Sequence, residues 1–129
     1  MADYNKYIGV KFSKFGRTLE GGVDCYGLAR EIIKNEFGKE LPVWNISDFT
    51  PEMMKAEISM QSMSHFRKVE TPEPGDIGVF QFYGLPTHVG VFVGDNRIIH
   101  IMIDEYSVME RLDSHRLNNR LVGWYEYTG

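Results

Sequence analysis

The sequence predicts an α+β fold in which an N-terminal helix packs on a mostly antiparallel β-sheet. Three observations carry this reading. Apolar residues recur at helical spacing from Leu28 to Phe37. Two aliphatic, strand-like runs flank a hairpin signal at Gly94-Asp95-Asn96. A chain of 129 residues with 43% hydrophobic content can bury one core and is too short for two ordinary domains, so residues 1–129 are read as one.

The helix comes first. Asp24 is a natural N-cap, and Leu28, Ala29, Ile32, Ile33 and Phe37 follow on one face until Gly38 stops the pattern. Cys25, the single cysteine of the chain, then occupies the first helical position. The positive end of the helix dipole favours a thiolate there, and the thiolate is the attacking species. The alternative is that Cys25 packs as a small apolar residue.

Between helix and sheet lie residues 41–74. Pro42 and Ser47-Asp48-Phe49-Thr50-Pro51 read as loop, with Thr50 and Pro51 opening a second helix through Met53, Ala56, Met60 and Met63. That methionine stripe reads as core, with a contact surface as the alternative. His65 follows the helix C-terminus, where a cation is favoured. Thr71-Pro72-Glu73-Pro74-Gly75 is a stiff connector into residues 76–83, which are apolar on both faces and read as a buried strand.

The hairpin carries two histidines. With Gly94-Asp95-Asn96 as a three-residue loop, Val93 pairs with Arg97, and Val89, Val91, Val93, Ile99, Ile101 and Ile103 share one aliphatic face that must be buried. His88, Gly90, Phe92, Ile98 and His100 fall on the other face. His100 lies opposite Gly90 and diagonal to His88, at roughly 7–8 Å between backbones. A two-residue loop would send His100 into the aliphatic face, so the hydrophobic pattern selects the three-residue loop and the register that joins the imidazoles. Two surface histidines are the alternative. Residues 106–112 and 121–127 read as further strands, joined by a polar, turn-rich segment in which His115 is a solvated loop residue.

Acyl-transfer chemistry needs a thiolate, a base that also protonates the leaving amine, and a group that orients the base. Cys25, His88 and His100 fit those roles in that order. A neutral imidazole at His100 can accept the ring N–H of His88 and so fix its tautomer.

These residues stand in motifs that resemble the NlpC-type papain-like cell-wall cysteine peptidases. The matching stretches are Gly21-Gly22-Val23-Asp24-Cys25-Tyr26-Gly27-Leu28, Pro74-Gly75-Asp76-Ile77, His88-Val89-Gly90-Val91-Phe92-Val93-Gly94 and Ile98-Ile99-His100, in the family's order. The resemblance implies a papain-like core, Cys25 as nucleophile, His88 as base and His100 as the residue that orients it, with no cofactor. It implies peptidoglycan peptides as substrate, cut between D-glutamate, through its γ-carboxyl, and a diamino acid. It places Phe12, Ser13, Asp24 and Tyr26 along the substrate. One departure stands out: family members commonly carry a Pro-Tyr pair upstream of the cysteine, and Phe12 takes the tyrosine's place here. Ser13 and Tyr7 are the candidates to supply the missing hydroxyl.

Charge and composition exclude other classes. A formal net charge of −4 with scattered basic residues argues against a nucleic-acid-binding surface. One cysteine rules out an intramolecular disulfide. No apolar run is long enough for membrane insertion, and the start of the sequence lacks a signal-peptide pattern, so synthesis in the cytoplasm is expected. Family members of that kind resemble tail-associated proteins of bacteriophages and prophages, which implies phage tail proteins as partners and virion delivery to the wall. Two further readings stay open: a tail structural or assembly protein with weak or no catalysis, and a zinc site built from Cys25, His88 and His100, which lack the usual close ligand spacing.

Overall fold

In a computed structural model describing residues 3–14, 16–41, 66–82 and 85–128, helix α1 spans Cys25–Phe37, as the apolar spacing requires. Asp24 accepts the Gly27 N–H on its carboxylate at 2.7 Å, satisfying a donor that the first turn leaves open. At the other end Gly38 adopts a left-handed φ of 69°, where a Cβ would be strained. The N–H groups of Gly38 and Lys39 close onto the carbonyls of Lys34 and Ile33. The second helix expected around Met53 to Met63, the loop at Pro42 to Pro51, and His65 and Tyr83 lie outside the described residues.

Two short strands precede α1, β1 (Arg17–Thr18) and β2 (Gly22–Val23), paired antiparallel. After it come β3 (Phe66–Val69), β4 (Ile77–Phe82), β5 (Leu85–Gly94), β6 (Arg97–His100), β7 (Val108–Arg111) and β8 (Leu121–Tyr127). These six form one sheet in the order β3-β8-β4-β5-β6-β7, with every neighbouring pair antiparallel. Among the described residues no helix is long and apolar enough to cross a membrane.

The sheet is covered on both sides. Leu28, Ala29, Ile32 and Ile33 of α1 pack with Ile77, Val79, Val89, Val91, Ile99, Ile101 and Tyr125 in the main core. A second cluster of Phe80, Ile98, Leu117 and Trp124, with Phe92 and Phe82 against it, fills the reverse face.

Three expectations are corrected. Strand β3 is absent from the sequence reading, because Phe66-Arg67-Lys68-Val69 shows little alternation and gains its ladder only from β8 at the sheet edge. Tyr106 lies outside β7 and is 66% exposed, tied to Lys11 by an isolated bridge. Ile103, expected in the aliphatic face, is 50% exposed, because β6 ends at His100 and the chain turns away through Asp104 at a φ of 61°.

Candidate active site

Cys25 begins α1 and is 7% exposed, in the main core beside the aliphatic rows of β5 and β6, against which α1 packs. The segment before β1 lies against the two residues preceding Asp24. Phe12 forms a parallel bridge with Val23, and the Ser13 N–H donates to the Val23 carbonyl at 2.9 Å. The Asp24 N–H donates to the Gly16 carbonyl at 3.4 Å. Phe12 and Ser13 are thereby held within a few residues of Cys25.

Tyr26 is 2% exposed, packed in the main core behind the cysteine. Tyr7 is fully buried and its hydroxyl donates to Glu36 at 2.5 Å. Glu36 is eleven positions along α1 from Cys25, a rise of about 16 Å, so the Tyr7 hydroxyl clamps the far end of the helix. Of the two candidates for the missing hydroxyl, only Ser13 is near the helix start.

The hairpin reaches the expected register by a different route. Val91 pairs with Ile99 and Phe92 with Ile98, but the turn has two residues, closed by Gly94 opposite Arg97. Asp95 and Asn96 both take positive φ, 53° and 57°, the signature of a type I′ turn. A β-bulge at Val93 absorbs the extra residue, so His100 keeps its place on the face of His88.

Gly90 makes room for the pair. A Cβ there would lie 2.8 Å from Ile98 Cδ1 and 3.1 Å from His100 Cβ. Gly90→Ala is expected to push His100 off its partner and to cost about 1–3 kcal/mol in urea unfolding. Unchanged stability together with an unchanged His100 ring environment by NMR would sink that expectation.

His88 Nε2 lies 2.8 Å from His100 Nδ1, with ring centroids 5.0 Å apart at 74°. His88 is 6% exposed and His100 1%. The Phe82 ring packs edge-on against His88 at 5.5 Å, and Phe80 stands 6.2 Å away. Burial and this direct contact rule out the reading of two ordinary surface histidines.

The chain of contacts continues to a residue missing from the sequence reading. His100 Nε2 lies 2.9 Å from Glu110 Oε1. Glu110 also accepts from Ser114 Oγ at 2.6 Å and from Arg116 Nε and Nη2 at 3.3 and 2.9 Å, and Arg116 Nη1 reaches Glu105 at 2.7 Å. His115 is exposed as expected, but the segment around it is a brace: Leu117 inserts into the second cluster, and Ser114 and Arg116 hold Glu110.

Burial pushes the Glu110 carboxyl up, but the hydrogen bonds from Arg116, Ser114 and His100 outweigh it and hold its pKa at about 2. Burial drives His88 well below its usual range, reinforced by His100 and Arg116. Burial also lowers His100, against the opposing pull of Glu110.

A pH dependence of stability follows. Both histidines bind protons less readily folded than unfolded, so below the unfolded value of 6.5 the unfolded chain takes up protons that the folded chain refuses. Stability is therefore greatest above that pH and falls as pH drops through it. Glu110, depressed from 4.5 to about 2, adds a further loss across that lower window. Thermal midpoints measured from about pH 8 to about pH 4 should decline below about 6.5, and a flat profile through that range would contradict the buried neutral pair.

The geometry also bears on the zinc reading. Two nitrogens on one tetrahedral zinc stand about 3.3 Å apart, each aimed at the ion. Here Nε2 of His88 and Nδ1 of His100 face each other at 2.8 Å, and the other nitrogen of His100 is held by Glu110. Among the described residues no group of three potential ligands is arranged to hold a metal.

The family model described as NlpC/P60 matches residues 9–125. An Escherichia coli (strain K12) protein, named murein DD-endopeptidase MepS/murein LD-carboxypeptidase, is 26% identical over 100 residues. That alignment covers 78% of this chain and 46% of the relative, so the chain spans less than half of that protein's length. The crystal structure of the NlpC/p60 domain of the peptidoglycan hydrolase SagA superposes with a TM-score of 0.62 at 20% identity, covering 94% of this chain and 90% of that one. An NlpC/P60 family protein from Bacillus cereus gives 0.67 at 21% identity, over 95% of this chain and 37% of its own. With its motifs in order, its helix and sheet arranged alike and nearly its whole length matched, the chain belongs to the NlpC/P60 family.

Proposed function

We propose that this protein is a cysteine endopeptidase that hydrolyses an amide bond in peptidoglycan stem peptides, with Cys25 as nucleophile, His88 as base and acid, and His100 orienting His88. The observation that carries the reading is the buried 2.8 Å contact between His88 and His100, a geometry that ordinary polar histidines have no reason to adopt. Family membership supports the substrate class.

In the proposed cycle the Cys25 thiol gives its proton to Nδ1 of His88, and the thiolate attacks the scissile carbonyl carbon. The Cys25 backbone N–H, in the first turn of α1, donates to the oxyanion. Collapse expels the amine, which takes the proton from His88 and leaves a thioester. His88 then removes a proton from water, the hydroxide attacks the thioester, and the acid departs as the thiol is restored. The proposal requires Sγ of Cys25 and Nδ1 of His88 to lie within hydrogen-bond reach.

The favoured bond joins the γ-carboxyl of D-glutamate to a diamino acid, most naturally diaminopimelate, with Phe12 and Ser13 beside it and Asp24 capping the helix that carries Cys25. The name of the E. coli relative supplies the competing outcome, a cut at a DD cross-link. Mass spectrometry of muropeptides after incubation separates them: new fragments ending in D-glutamate with a free γ-carboxyl support the first, and resolved cross-linked dimers with intact stems support the second.

We propose further, from resemblance to tail-associated family members, that the protein reaches the wall in a phage or prophage particle. Its presence in purified particles by mass spectrometry is the check. A tail assembly protein with little catalysis is the second reading. One observation favours it, the commitment of the Tyr7 hydroxyl to Glu36 where Phe12 offers none.

A further inference from the structure

The hydrogen-bond chain that starts at His88 runs past His100 to an acidic residue with three other bonds of its own. We infer that Glu110 is a positioning residue that, through His100, selects the tautomer of His88 whose Nδ1 is bare and able to take the thiol proton. The inference rests on the proposed roles of Cys25 and His88.

The argument is a proton count. Glu110 is held as a carboxylate by Arg116 and Ser114 and can only accept hydrogen bonds. His100 Nε2, 2.9 Å from Glu110 Oε1, must therefore carry a proton. A neutral imidazole carries one, so Nδ1 of His100 is bare and accepts. His88 Nε2, 2.8 Å from that Nδ1, must then be the donor. The single proton of neutral His88 is thus spent on Nε2, and Nδ1 is left as the base. Both histidines are held neutral by burial, which is the condition the count needs.

Without Glu110 the direction of the chain is lost. If His100 moves its proton to Nδ1, it donates to His88 Nε2 at the same short distance. His88 must then carry its proton on Nδ1, the wrong place for a base facing a thiol. The contact between the rings is satisfied in either direction, so only the acceptor behind His100 distinguishes them. Arg116, shared between Glu110 and Glu105, offsets much of the carboxylate's charge. Glu110 therefore acts by fixing direction more than by lending negative charge to His88.

Register explains how a residue ten positions from His100 arrives there. On β7 His100 pairs with Val108 and Ile98 with Glu110. Glu110 thus shares the face of the histidines and sits diagonal to His100, within reach of a long side chain.

The test reads tautomers and turnover separately. Long-range 15N–1H NMR of the labelled protein, without substrate, should show His88 and His100 both as Nε2–H in the wild type. Glu110→Gln keeps an accepting oxygen and should keep those tautomers, with less than about a tenfold loss of kcat. Glu110→Ala should move His88 to Nδ1–H and lower kcat on the order of 10- to 100-fold with KM little changed. Glu110→Met, which fills the same space, replaces it if the alanine variant does not fold. Arg116→Met loosens the brace but leaves the acceptor, so it should keep the wild-type tautomers. Tautomers unmoved in Glu110→Ala, with kcat falling equally in Arg116→Met, would overturn the inference and make Glu110 a brace alone. Wild-type protein that shows the expected tautomers but cuts no muropeptide would overturn the peptidase reading instead.

Discussion

Cys25→Ser is expected to abolish muropeptide turnover, lowering kcat by roughly 10⁴-fold or more, while the domain stays folded. The two side chains are nearly isosteric, differing by one atom, so the packing change is small although Cys25 is buried. Serine is also a good residue near a helix N-terminus, so α1 should form as before. The chemistry is what changes. The thiolate is the attacking species, and a hydroxyl in the same place ionises far less readily, so it is a poor nucleophile for the proposed step. The measurement is a muropeptide mass profile beside a thermal melt of both proteins. Identical profiles for wild type and Cys25→Ser, on diaminopimelate-type and lysine-type walls alike, would replace the peptidase with the assembly protein.

The parts of the site visible in sequence are those with local signals. Asp24, Cys25 and Gly38 mark the ends of α1 through cap chemistry, which acts over three or four residues. The histidine pair is visible because a short loop fixes register and the aliphatic row Val89, Val91, Ile99, Ile101 can be buried on only one face. Even there the length of the loop is not legible. A three-residue loop and a two-residue turn with a bulge at Val93 give the same register beyond the bulge, so the pattern of side chains cannot tell them apart.

Glu110 shows where such signals stop. Residues 101–107 link β6 to β7, and a connection of that length does not set a register. Whether Glu110 or Met109 shared the histidine face was therefore undecidable from spacing. Ser114 and Arg116 looked like loop residues because their partners lie on another strand. Strand β3 is invisible for a similar reason, since its pairing depends on β8 some sixty positions later. From spacing alone the Tyr7 hydroxyl stays open as a substrate contact; its bond to Glu36, 29 residues away, places it at the other end of α1.

His88→Ala is expected to remove turnover almost completely, by about 10³-fold or more, because in the proposed mechanism it removes both the acceptor of the thiol proton and the donor to the leaving amine. The same variant should carry iodoacetamide labelling of Cys25 to higher pH, toward the range of an ordinary thiol near 8.5, because the imidazole no longer assists ionisation. His100 should behave in a graded way. In His100→Asn an amide oxygen can still accept the His88 Nε2–H, so the ring keeps its orientation at reduced occupancy, and about a tenth of the activity should persist. In His100→Ala no acceptor is left within the buried pocket, His88 can turn or protonate on the wrong nitrogen, and the loss should approach 10²-fold or more. Neither change should unfold the protein outright, since Glu110 retains its bonds to Arg116 and Ser114. The order of the three variants is the discriminating result: His88→Ala below His100→Ala below His100→Asn. Wild-type turnover in His100→Ala would show that the 2.8 Å contact is packing only, and would leave His88 without the partner that the proposed mechanism gives it.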